Sequence, residues 1–164
     1  MARTRPGPTF SDSQRLTQSN QDPQTPADYV VQLRCAPLPY IFGAIADHYW
    51  FVVFDEVSGA CRRWEVWHTK NAGGVSVGHV HCDLLHPDAD VGGGPMRIAA
   101  EWRGLAASAL REVLERPDDY PHCQRYHYWP GPNSNTFAAW VLREAGIDHR
   151  LHWRAIGSHF GRNW

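Results

Sequence analysis

The sequence predicts an α+β fold: an antiparallel sheet of about four to six strands packed on two main helices. Three observations predict it. Up to residue 102 the apolar residues are mostly β-branched or aromatic and come in short runs broken by Gly, Pro, Ser and Asp, as in strands joined by turns. Beyond that point the apolar spacing changes to that of helices. The length of 164 residues and the 43% hydrophobic content suit one domain with a real core.

The elements follow in order. Residues 1–26 are rich in Ser, Gln, Pro and Thr without apolar periodicity, and read as a disordered polar tail. Residues 27–164 then form the single α+β domain. DYVVQLRC (28–35) reads as a strand ending before PLP. AIADHYWFVVFDE (44–56) reads as an aromatic strand, EVSGA as a turn, and CRRWEVWHT (61–69) as its hairpin partner. VSVGHVHCDLL (75–85) reads as a third strand, the glycine-rich loop HPDADVGGGP follows, and MRIAAEW (96–102) is a further strand.

In LAASALREVLER, residues Leu105, Ala106, Ala109, Leu110, Val113 and Leu114 share one helical face, and Pro117 stops that helix. The second helix spans 134–146, with Phe137, Trp140 and Val141 as its apolar stripe and Gly146 as its stop. The remaining residues leave room for one short strand.

Composition excludes some functions. A net charge of −1 leaves no basic stripe for nucleic acid or an anionic membrane surface. No apolar run is long enough to span a membrane, and the N-terminus lacks the apolar core of a secretory signal, so a cytoplasmic protein is expected. The four cysteines, Cys35, Cys61, Cys82 and Cys123, show no CxxC spacing and are expected to be free.

WPGPNSNTF (129–137) is the most informative stretch. Two prolines stiffen the approach to a helix that opens on Asn133, Ser134, Asn135 and Thr136. Ser134 or Asn133 can be a plain helix cap. The same geometry suits a nucleophile, because a hydroxyl at a helix N-terminus sits in the positive end of the dipole beside open N–H groups that can hold an oxyanion. On that reading Ser134 attacks, and backbone N–H groups near Asn135 help to form the oxyanion hole. His48, on the strand face of Trp50 and Val52, is the candidate base. In RWEVWH, Glu65 and His68 point to opposite faces, so at most one orients His48. His68 is slightly preferred, because a neutral imidazole costs less to bury than a carboxylate. Glu65 could instead pair with Arg62 or Arg63 on the surface. Trp129, Asn133 and Asn135 are the candidate substrate-binding residues. Trp50, Trp64, Trp67, Trp129 and Trp140 are expected mostly in the core, and Trp129, next to the proline turn, is the one that could instead line a substrate groove.

His79 and His81 in GHVHC point the same way on a strand, with His86, His122, Cys123 and His127 elsewhere to complete a zinc site in principle. Two ligands on one strand do not close one, so no metal and no cofactor is expected. GGGP (92–95) lacks the Lys-Ser/Thr pair of a phosphate loop and reads as a mobile flap beside the cleft.

An aromatic strand carrying His, a second strand with a polar partner, and a later helix opening on a short Asn-led motif resembles the order in circularly permuted papain-like hydrolases. These include the lecithin–retinol acyltransferase group and permuted relatives of NlpC-type cell-wall peptidases. The resemblance implies a permuted papain-like (NlpC-type) arrangement, with Ser134 standing where those families carry a nucleophilic cysteine and His48 facing it from the sheet. More closely, HYWFVV, RWEVW, GGGP, YHYWPGPNSNTF and RAIG resemble a bacterial family labelled as domain of unknown function 3750, over roughly residues 28–158. The activity so implied is Ser/His hydrolysis or acyl transfer on an amide or ester, with a small-molecule, peptide or acyl substrate. The alternatives are a catalytically inactive binding module with the same cleft, and a His-based metal-binding protein.

Overall fold

The computed structural model describes residues 29–161. The polar tail expected over 1–26 lies outside them. The architecture is α+β, with one open antiparallel sheet and two helices. The strands are β1 (Tyr29–Pro37), β2 (Asp47–Asp55), β3 (Cys61–Val66), β4 (Val75–Val77), β5 (Val80–Cys82) and β6 (Arg97–Arg103), in the spatial order β4-β5-β3-β2-β1-β6. The helices are α1 (Gly104–Leu114) and α2 (Ser134–Glu144).

The long β1–β2 pairing centres the sheet, with Leu33 opposite Phe51 and Ala36 opposite His48. Both strands are buried on both faces over much of their length, which is why their sequences run apolar almost without a break. The first face, with Leu33, Phe51, Val53 and Val66, packs against Leu110 and Val113 of α1 and Phe137 and Val141 of α2. Each such side chain removed from water contributes about 1.5–3 kcal/mol. The second face carries His48, Trp50, Val52, Arg63 and Glu65. It is covered by the connection between β5 and β6, through Val91 and Met96.

Several expected elements differ. The strand expected over 75–85 is a hairpin, β4 and β5, with Val77 opposite Val80. Its two-residue turn is Gly78–His79, where Gly78 takes φ +60, as tight hairpin turns require. The aromatic strand begins at Asp47 rather than at 44, because Tyr40–Ala44 form a 3₁₀ turn. β3 stops at Val66, short of His68. Leu105 is exposed and Ala107 is buried, so the inner face of α1 is Ala107, Leu110, Val113 and Leu114. Residues 147–161 contain turns and no strand.

Helix α2 ends as Gly146 suggests. The N–H of Ile147 reaches Leu142 O at 2.8 Å and that of Gly146 reaches Arg143 O at 3.0 Å, the paired bonds of a Schellman stop. Gly146 has φ +68, and a Cβ added there would touch nothing. Gly146→Ala therefore isolates backbone strain. Urea unfolding is expected to show a loss of about 1 kcal/mol with an unchanged m-value.

Candidate active site

The start of α2 is built by side chains that cap it and tie it to distant segments. Asn133 is the N-cap. Its Oδ1 accepts the N–H groups of Asn135 at 3.0 Å and Thr136 at 3.2 Å, and Thr136 Oγ1 accepts the N–H of Asn133 at 3.1 Å, closing a capping box. Asn133 Nδ2 donates to Tyr128 O and Ile156 O, and Asn135 Nδ2 donates to Asp47 O at 2.9 Å and Ile156 O at 3.0 Å. Thr136 Oγ1 donates to Gly157 O at 2.7 Å.

Capping thus belongs to Asn133, which leaves Ser134 at the first helical position with a light duty. Its hydroxyl makes one long hydrogen bond, 3.5 Å, to Asn135 Oδ1. The Asn135 N–H, expected to help hold an oxyanion, is instead engaged by Asn133. The N–H of Ser134 itself makes no hydrogen bond among the described residues, so the free donor at this helix start lies on the same residue as the hydroxyl.

On the second face of the sheet, three side chains form a buried chain of charge. Arg63 Nη2 donates to Glu65 Oε2 at 2.8 Å, and His48 Nε2 lies 3.1 Å from the same oxygen. Arg63 is sealed from solvent, stacks 4.3 Å over the Trp50 ring, and donates Nη1 to His86 O and Ala89 O. Burial works to raise the Glu65 carboxyl. The hydrogen bond and charge of His48, together with Arg63, outweigh it and hold the acid below its ordinary value. An ionised Glu65 can only accept, so the proton between the two sits on His48 Nε2. His48 Nδ1 has no hydrogen-bond partner among the described residues, so it is the nitrogen of this ring not engaged within the protein.

His68 does not reach His48. It lies exposed beyond the end of β3, its ring against Trp67, Tyr126 and Tyr128. Glu65 occupies the orienting position because Arg63 removes the penalty that burial of a lone carboxylate would carry.

His48 also departs from the expected orientation. It shares a face with Trp50 and Glu65, whereas α2 covers the other face. His48 and Ser134 therefore approach from the two sides of the sheet's end, where β1 finishes and β2 begins. No hydrogen bond joins them among the described residues.

Both residues line one cavity of about 640 Å³. Its walls come from 38–48, from 126–135 and from Ile156, and most are apolar: Leu38, Phe42, Ile45, Tyr128 and Trp129 are among them. Trp129 is 75% exposed and sits at the mouth, unlike Trp50, Trp64 and Trp140, which are buried. Asn133 and Asn135 line the cavity too, but their amide groups are engaged within the protein. Tyr126 adds a phenol to the wall, and burial pushes its ionisation upward, which keeps it a proton donor. Gly93 of the glycine loop lies against the backbone of Pro37 and Leu38, so close that a Cβ would overlap both carbonyls. That loop braces the back of the cavity wall.

A family model described as a protein of unknown function, DUF3750, matches residues 28–160. The chain belongs to this family. No curated protein and no solved structure gives a significant match.

In this DUF3750 domain the histidines of GHVHC are taken up by local bonds. His79 sits in the β4–β5 turn with Nδ1 on Trp67 O, while His81 bonds Ser76 through Nδ1 and Thr69 O through Nε2. Both nitrogens of His81 are engaged, so the pair does not present two free ligands. His122 packs its ring against Tyr120 and Phe160. The four cysteines are free, and none lines the cavity. Two contributors escaped the sequence reading. Arg63 looked like surface charge. Asp47 is buried between Arg97, 2.5 Å from its Oδ2, and Arg154, 2.9 Å from its Oδ1. An acidic residue just ahead of a histidine in an aromatic strand was the available signal for Asp47.

The Glu65 arrangement predicts a direction with pH. Its folded value lies below the unfolded value of 4.5, so its contribution is complete above that pH and is lost as pH falls through the folded value. Thermal unfolding between pH 5 and pH 2 is expected to show wild type losing stability on acidification, with a weaker dependence in Glu65→Gln. At pH 7 the same variant is expected to be less stable by about 3–5 kcal/mol, because Arg63 is left buried without its counter-charge.

Proposed function

We propose that the cavity is the active site of a Ser/His hydrolase or acyltransferase acting on an ester or amide, in a permuted papain-like arrangement. The observation that carries this reading is that Ser134 and His48 line one cavity while a buried carboxylate holds Nε2 of the His48 ring and leaves Nδ1 unbonded. An orienting acid behind a base is what nucleophilic acyl transfer needs.

In this scheme Ser134 Oγ attacks the substrate carbonyl carbon and its proton passes to His48 Nδ1. The N–H of Ser134 steadies the oxyanion, with Tyr126 in reach of the same space. Collapse breaks the bond to the alcohol or amine, which leaves with the proton from His48. Water or an acceptor hydroxyl then releases the acyl group by the reverse sequence. Glu65 stabilises the imidazolium formed in each half, and Arg63 keeps Glu65 ionised. The missing Ser134–His48 bond is compatible with this, since such contacts often tighten only when substrate is present.

One observation favours a second reading, a binding cavity without chemistry: His48 sits on the sheet face away from α2, with no bond to Ser134.

Ser134→Cys separates the two. A thiol at position 134 sits at a helix N-terminus near an imidazole, and both favour thiolate. Iodoacetamide labelling at pH 7, read at that position by peptide mass spectrometry, is expected to slow by roughly tenfold or more when His48→Ala is added. Glu65→Gln added instead is expected to give an intermediate rate. Equal labelling with and without His48 means that no working pair exists, and the second reading then stands.

A further inference from the structure

The mouth of the cavity has a composition that the chemistry inside it does not require. Tyr40, Ile41, Phe42 and Ile45 are 91%, 81%, 57% and 52% exposed, and Tyr128 and Trp129 across the opening are 68% and 75% exposed. Of the other exposed large apolar residues, Val57, Val75, Ile98 and Leu105 belong to the sheet, its turns and α1, while Trp153 lines a neighbouring hollow with Trp129. Residues 35–46 and 126–142, which supply this mouth, contain no Asp, Glu, Lys or Arg, in a chain whose charged content is 20%. Exposed apolar side chains are gathered at one opening, on stretches from which charge is missing.

Building on the acyl-transfer reading, we infer that this mouth docks on a zwitterionic lipid surface, from which an acyl-bearing substrate enters the cavity. Three features favour that occupant. The apolar rim continues into apolar walls, so a hydrocarbon chain leaving a lipid layer stays on apolar surface as far as Ser134. The backbone carbonyls nearest the site, those of Asp47, Ile156 and Gly157, are already bonded by Asn133, Asn135 and Thr136, and the edge of β2 that faces β1 is paired along its whole length. An extended peptide would find those acceptors taken. The rim also matches an electrically neutral surface: its two segments carry no charge, and Arg154, which reaches Gly43 O of the 3₁₀ turn, is paired with the buried Asp47.

Side-chain types agree with position. Ile41 and Phe42, near the tip of the 3₁₀ turn, are suited to enter the acyl layer, while Tyr40, Tyr128 and Trp129 combine an apolar ring with a polar end suited to the headgroup level. No described helix is long and apolar enough to cross a membrane, so the contact is peripheral.

The test is co-sedimentation of the full chain with phosphatidylcholine vesicles, with no reaction involved. Wild type is expected to partition onto the vesicles equally at low and high salt. Ile41→Ser with Phe42→Ser is expected to lower the partition coefficient by roughly tenfold or more, because two apolar anchors are lost. Far-UV circular dichroism checks that this variant folds, and Trp129→Ser gives a second, independent loss. Ser134→Ala is expected to bind as wild type does, so docking stands or falls apart from the His48-dependent labelling described above. Three results overturn the inference. The first is absence of binding. The second is binding that needs anionic lipid and disappears with salt. The third is a dimer in sedimentation velocity that the Ile41 and Phe42 substitutions dissociate, which would make a second copy of the chain the occupant.

Discussion

The buried carboxylate of Glu65 is the constraint around which the second face of the sheet is arranged. An ionised acid without solvent costs several kcal/mol unless cations and donors surround it. Arg63 answers that requirement two residues earlier on the same strand. Arg63 is itself sealed, and its Nη1 finds acceptors, the carbonyls of His86 and Ala89, only if the chain after β5 lies back across the sheet; its Nε has no hydrogen-bond partner among the described residues. The Trp50 ring fills the space beneath the guanidinium. One charge thus dictates the path of a whole connection, and the orientation of His48 follows from it. Much of what looks like catalytic preparation is also what this face needs in order to fold.

The other half of the site rests on a different device. Amide side chains do there what a sheet ladder does elsewhere. Asn133 and Asn135 each reach to carbonyls far apart in sequence, and Asp47 gathers Arg97 from β6 and Arg154 from the turns after α2. The result is a helix start held from several directions. A rigid first turn places the hydroxyl and N–H of Ser134 in a constant relation to the cavity, which suits chemistry and selective binding alike.

The fold was legible where one physical signal dominates. The aromatic run of β2 and the stripe of α2 follow burial, which repeats with the period of each element. Legibility failed where two signals compete. VSVGHVHC alternates as one strand does, and only the positive φ of Gly78 turns it into a hairpin. Leu105 fits an apolar helical face, yet the register of α1 on the sheet places Ala107 inside instead. In the site, Ser134, His48 and Trp129 could be picked out because a helix start, a lone histidine in an apolar strand and a proline-flanked tryptophan are local patterns. The choice of Glu65 over His68 could not be read that way. It depends on the burial of Arg63, and adjacent arginines in a sequence look like solvated charge. The cavity was equally hidden, because residues 38–46 resemble a strand lead-in until the 3₁₀ turn lifts them away from the sheet.

The ties from α2 to Ile156 and Gly157 bear on how the molecule comes into being. Asn133 bonds a carbonyl that lies 23 positions later in the chain, and Asn135 one that lies 21 later. A ribosome therefore releases Ser134 well before the residues that hold its helix start in place. The bond from Asn135 to the Asp47 carbonyl spans 88 positions and needs a longer loop to close. The pocket is consequently completed only once residues 156 and 157 are made, after every strand of the sheet it depends on. During synthesis the nascent chain carries its hydroxyl in an unorganised setting, and any reactivity is delayed until most of the domain has emerged.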